Sequence, residues 1–157
     1  MVMKSIQNWL DDYSVSHRNP VNKRIHWICV PLIMLSALGF LWGIPRPSVF
    51  AAYGAYANWA TLFILASLIY YALLSPRLAA GMLLVSAIMC LLLQGLALLP
   101  WPLWWSCLAI FVGAWIGQFI GHKIEGRKPS FFKDLQFLLI GPVWLLADAY
   151  KRLGFAY

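Results

Sequence analysis

The apolar positions of this 157-residue chain gather into four long runs, roughly 28–44, 58–74, 78–99 and 101–121. A helix needs about 17–25 mostly apolar residues to cross the hydrocarbon of a bilayer. Each run therefore predicts a membrane span, the first only just. The breaks between them carry turn chemistry: Pro45-Arg46-Pro47, then Ser75-Pro76-Arg77, then Pro100 with Pro102. The last break predicts a tight hairpin between the third and fourth spans. A fifth apolar stretch, about 135–147, is interrupted by Gly141-Pro142 and is too short to cross as a straight helix, so it predicts an interfacial or re-entrant segment. Ahead of the first span, Ile6, Trp9, Leu10 and Tyr13 recur at helical spacing, as in an amphipathic helix lying on a membrane surface. The expected fold is an all-α integral membrane protein, a single domain over 1–157. It has about four transmembrane helices, an N-terminal surface helix and a C-terminal interfacial or re-entrant helix. The first apolar run begins after residue 27, too late and behind too many charges for a cleavable signal peptide.

Composition strengthens this picture. Hydrophobic residues make up 62% of the chain and charged residues 11%, against about 25% charged in soluble domains. That excludes an ordinary soluble enzyme and a disordered segment. The formal net charge of +7 points to an anionic partner, and its placement selects the bilayer over nucleic acid. Between residues 28 and 121 only Arg46 and Arg77 are basic, so the positive charge flanks the spans and faces headgroups. With four crossings, Lys4, Arg18, Lys23, Arg24, Arg77, Lys123, Arg127, Lys128, Lys133, Lys151 and Arg152 share one face, and Arg46 alone holds the other. The positive-inside rule then puts both termini in the cytoplasm. The short loops and compact ends favour a bacterial inner membrane over the endoplasmic reticulum. Cys29, Cys90 and Cys107 lie in apolar runs without Cys-x-x-Cys spacing, as small buried hydrophobes do. Gln94 is expected to make an interhelical hydrogen bond, and Trp101, Trp104 and Trp105 to form an interfacial belt. Asp11, Asp12, Asp134 and Asp148 are expected to be solvated or paired with the basic flank, Asp148 being the one best placed to serve a site. A homo-oligomer is compatible with these features.

The chain has three histidines, His17, His26 and His122, and the topology brings all three to the cytoplasmic end of the bundle. Asn19-Pro20 is a helix N-cap followed by an N1 proline, so a helix starts there and runs into the first span. On it, Asn22 and His26 share a face. His17, one loop earlier, can fold back over the helix start, and Asn19 or Asn22 can fix an imidazole tautomer. At the far end Gly113, Gly117 and Gly121 make a smooth stripe that lets helices approach closely, leading directly to His122. Glu125 follows three residues on. Neutral imidazoles with a carboxylate and open positions suit non-haem Fe(II), although zinc fits the same ligand types. Glu125 is a candidate fourth ligand, outer partner of the ligands, or catalytic acid/base. The residues alone leave three functions open: a metal-dependent enzyme, a membrane protein with His-ligated haem, and a non-catalytic scaffold or lipid-binding protein.

These two polar blocks resemble the Mpo1-like family. The likeness rests on Tyr13, His17, Asn19, Pro20, Asn22, His26 and Pro31 in the first block, and on Gln118, Phe119, Gly121, His122, Glu125, Gly126, Lys128 and Pro129 in the second. In layout it spans essentially the whole chain. The resemblance implies an Fe(II)- and O2-dependent dioxygenase that carries out α-oxidation of long-chain 2-hydroxy fatty acids, shortening them by one carbon. It implies that His17, His26 and His122 are the iron-associated histidines. The chain departs from the family pattern at one point: His-x-x-x-Glu is here His122-Lys-Ile-Glu125, which turns Glu125 about 100° around the helix. A 2-hydroxy acid can chelate iron through its carboxylate and hydroxyl while the acyl tail stays between helices or in the bilayer. Arg18, Lys23, Arg24, Arg127 and Lys128 are candidates to hold the carboxylate.

Overall fold

The computed structural model describes residues 4–54, 56–129 and 136–157. Asp134, Lys133 and Leu135, which opens the predicted fifth stretch, lie outside the described residues. Those described form seven helices and no strand: α1 (Ile6–Ser14), α2 (Pro20–Gly43), α3 (Ser48–Ala51), α4 (Trp59–Leu74), α5 (Pro76–Ala97), α6 (Leu103–Glu125) and α7 (Phe137–Leu153). Local chemistry sets the ends. Asn19 caps α2, its Oδ1 accepting from the Val21 N–H at 2.8 Å, with Pro20 at N1 as the sequence predicts. Ser75 closes α4 and caps α5 ahead of Pro76. Gly126, at φ +70°, ends α6 in the left-handed conformation that only glycine adopts freely.

Three helices, α2, α5 and α6, are long and apolar enough to cross a membrane. The second predicted span, 58–74, corresponds to α4, which at 16 residues is about 24 Å long and falls just short of that length. The helices nevertheless alternate in direction as four crossings require. Gly39 of α2 meets Leu93 of α5 and Cys107 of α6 at one end. At the other end Gly81 of α5 meets Leu146 of α7, and the Tyr71 hydroxyl of α4 donates to the Leu139 carbonyl at 2.8 Å.

Several expectations need adjustment. The turn between α5 and α6 is short, but α6 packs mainly on α2. Glycines decide this: a Cβ at Gly117 would stand 2.6 Å from Cys29 Sγ, and one at Gly121 would collide with Asn22 Oδ1, whereas Gly113 meets nothing. The stretch around Gly141-Pro142 is not interrupted. α7 runs through Pro142 as one helix, and Phe137, Ile140, Val143, Trp144 and Leu145 are buried in the bundle. The apolar face of α1 covers protein: Trp9 packs edge-on against Phe137 at 5.5 Å, and the Trp144 indole N–H donates to Ser14 Oγ at 2.8 Å. Gln94 bonds the Tyr56 hydroxyl in the α3–α4 loop instead of a neighbouring helix. Asp148 pairs with Arg152, away from the histidines. Trp101, Trp104 and Trp105 are exposed on the outer surface, as a belt would be.

Candidate metal centre

The turn between α1 and α2 carries His17, the second turn of α2 carries His26, and the last turn of α6 carries His122. All three are buried, at 1%, 1% and 5% exposure. One ligand atom of each lies within 4.8 Å of the other two, so residues 105 positions apart in the chain converge on a single point.

Their tautomers follow from their partners. His17 Nδ1 stands 2.6 Å from the Tyr13 carbonyl, and His26 Nδ1 stands 2.9 Å from the Asn22 carbonyl. A carbonyl only accepts, so in each ring Nδ1–H donates and the neutral imidazole leaves Nε2 as a bare lone pair. Those two Nε2 atoms face each other at 2.9 Å. Burial pushes the His17 imidazole down to about 4, from an ordinary 6.5, outweighing the backbone bond to Tyr13 and the more distant Glu125 carboxylate. Near neutral pH His17 therefore brings no proton of its own to the gap. Two opposed lone pairs repel unless a cation sits between them. His122 Nδ1 is buried with no hydrogen-bond partner. Facing lone pairs, an orphaned third imidazole nitrogen and backbone carbonyls that fix the tautomers make a donor set suited to a divalent transition metal.

Glu125 is engaged elsewhere. Its Oε1 accepts from the Arg18 N–H and its Oε2 from the Asn19 N–H, both at 2.8 Å, with a third bond from Asn22 Nδ2 at 3.1 Å. The carboxylate thus clamps the α1–α2 turn that carries His17. Of the two asparagines, Asn22 touches an imidazole, through its main chain, while Asn19 caps α2 and meets no histidine. Two aromatic supports carry no chemical signal of that role in the sequence, although Tyr13 stands among the residues of the family likeness. Tyr13 stacks on His17 at 4.1 Å with the rings 6° from parallel, and Trp144 of α7 packs 5.2 Å from the same imidazole. Tyr13 belongs to the amphipathic pattern of α1; only its position four residues before His17 hints at the carbonyl bond.

His26 and His122 line the head of an elongated apolar cavity of about 290 Å³. α2 lines it from His26 to Leu38, about 18 Å of helix, and α6 from His122 back to Phe111. Arg18, Lys23, Arg24, Arg127 and Lys128 are all exposed, and among the described residues no lysine or arginine lines the cavity. The structure therefore brings the three histidines together and leaves the basic residues proposed for a carboxylate on the surface.

The family profile described as "2-hydroxy-palmitic acid dioxygenase Mpo1-like" matches residues 3–153. The chain belongs to the Mpo1-like family. It is 32% identical over 156 residues to the 2-hydroxy-palmitic acid dioxygenase MPO1 of Saccharomyces cerevisiae, covering 96% of this chain and 82% of that protein. No solved structure matches it. For an Mpo1-like chain, the two polar blocks picked out in the sequence are the segments that assemble the histidine cluster.

Proposed function

We propose that this protein is an integral-membrane, Fe(II)-dependent dioxygenase that shortens long-chain 2-hydroxy fatty acids by one carbon. The observation that carries the proposal is the trio of buried histidines, with Nε2 lone pairs of two of them opposed at 2.9 Å, and with His26 and His122 at the head of an apolar cavity. His17, His26 and His122 would hold the ion, and Fe(II) there would supply the one-electron chemistry through which dioxygen reacts. The protein's own contribution is positional. The Tyr13 and Asn22 carbonyls hold the imidazoles in one tautomer, Glu125 fixes the turn that bears His17, and the apolar walls exclude water from the acyl chain. Allowing about 1.2 Å per single bond, the α2 wall accommodates about fifteen bonds, the scale of a long-chain acid. The name of the yeast relative, a 2-hydroxy-palmitic acid dioxygenase, supports the same substrate class.

The stoichiometry balances with dioxygen as the only oxidant: a 2-hydroxy acid and O2 yield the acid one carbon shorter, carbon dioxide and water. Nε2 atoms 2.9 Å apart leave no room for a porphyrin held between His17 and His26.

The test is oxygen uptake by detergent-purified protein loaded anaerobically with Fe(II), on addition of 2-hydroxyhexadecanoic acid. Uptake requiring both iron and the 2-hydroxyl, with pentadecanoic acid as product, is expected. Iron bound at the histidines without uptake would remove the substrate assignment. Absence of metal binding would favour a non-catalytic lipid-binding role.

A further inference from the structure

A fatty acid brings a carboxylate into a cavity whose described walls offer no lysine or arginine. A charged oxygen in so apolar a space needs donors. Ser86 of α5 also lines the cavity, and two other polar side chains there are already committed: the Ser67 hydroxyl donates to the Phe63 carbonyl and the Tyr71 hydroxyl to the Leu139 carbonyl, each at 2.8 Å. Gln118 is different. It is buried at 5% exposure, it lines the cavity, and its carboxamide makes no hydrogen bond among the described residues. It stands on α6 four residues before His122, so the two side chains share a helix face. A buried amide left without partners is unfavourable and calls for a ligand or water in front of it.

We propose that Gln118 is a specificity-determining residue whose carboxamide N–H groups hold the carboxylate of the bound 2-hydroxy acid beside the histidine cluster. The Tyr13 hydroxyl is a second uncommitted donor lining this cavity, but it lies on α1, not on the helix that bears His122. The inference rests on the proposed substrate class. It replaces the surface arginines and lysines with a neutral donor inside the cavity, which explains how an acid is selected where no basic side chain reaches.

The test is anaerobic binding, followed by tryptophan fluorescence, to full-length Fe(II)-loaded protein. The ligands are 2-hydroxyhexadecanoic acid and hexadecane-1,2-diol, which keeps the hydroxyl and the chain but lacks the carboxylate. Gln118→Leu removes the donors, and Gln118→Glu places a like charge where the carboxylate should bind. Both are expected to raise the Kd of the acid about tenfold or more, to leave the Kd of the diol within about twofold, and to leave the iron stoichiometry at the wild-type value. Unchanged acid binding in both variants would overturn the role of Gln118 alone. Equal weakening of acid and diol would also overturn it, pointing to a packing role. A wild-type protein that binds neither ligand would overturn the substrate class and the inference together.

Discussion

At the scale of single residues, imidazole and carboxylate do different work, and substitution separates them. His17, His26 and His122 each contribute a buried nitrogen to one point, so each alanine variant is expected to lose bound iron and with it oxygen uptake. Glu125 touches the backbone of Arg18 and Asn19 through two charge-assisted bonds. Glu125→Gln keeps the shape but offers an N–H where an acceptor is needed, so it is expected to weaken iron affinity about 10–100-fold, as loss of a supporting partner does. Activity should return at saturating iron. If Glu125→Gln bound iron as tightly as wild type yet stayed inactive, the carboxylate would act on the reacting atoms instead. His17 also sets a pH dependence in metal-free protein. Its folded pKa is depressed to about 4 by burial, while the unfolded imidazole titrates near 6.5. Between those values the unfolded chain binds the extra proton, so stability rises with pH and is lost as pH falls from about 6.5 to 4, by about 3 kcal/mol in full. Thermal unfolding of the apoprotein at pH 7 and pH 5 reads this directly. His17→Gln should reduce the difference, and an unreduced difference would remove His17 as its source.

At the scale of elements, the α2–α6 contact turns sequence spacing into a site. Gly117 seats against Cys29 and Gly121 against Asn22 and Ile25, which brings His122 beside His26. Gly121→Val would drive a branched side chain into Asn22, whose carbonyl holds His26 and whose amide meets Glu125. Overpacking of this kind costs about 1–3 kcal/mol; here it should also abolish iron binding. Gly113→Val, on the same stripe but meeting nothing within 4 Å, is expected to keep both stability and iron, and equal damage from the two would refute the contact. The same helices show what the sequence reveals and what it hides. Asn19-Pro20 marks the start of α2 because capping is local chemistry, written in neighbouring residues. The glycine stripe announces a close helix partner without naming it, and α2 rather than the adjacent α5 takes that place. Pro142 reads as a break because proline removes a helical hydrogen bond, yet packing of Ile140, Val143 and Trp144 in the core carries α7 through it. Trp144 beside His17 depends on that tertiary packing, so no periodicity discloses it.

At the scale of the whole molecule, the terminal helices and the charge belong to one end. α1 and α7 pack on each other where the histidines lie, with Trp9 on Phe137 and Tyr13 on Trp144. Apart from Arg46 in the loop before α3, four crossings would bring the basic residues among those described to that same end. Lysine and arginine resist translocation and so orient a bundle, and the expected result is a histidine cluster that opens toward the cytoplasm with both termini beside it. The 16-residue α4 is the weak link. If it failed to cross, α5 would insert in the opposite sense and the histidines of α2 and α6 would fall on opposite sides of the membrane, so their convergence within 4.8 Å supports four crossings. Fusions test the chain of reasoning at three points. A fluorescent reporter that matures only in the cytoplasm should light at the N-terminus, at the C-terminus and not at Ser48, where the short α3 begins between α2 and α4, while alkaline phosphatase should be active at Ser48 alone. Signal at Ser48 with silent termini would invert the molecule and place the iron site outside. Opposite behaviour of the two termini would mean an odd number of crossings, and neither the charge asymmetry nor the histidine cluster would then have its explanation in a four-helix passage.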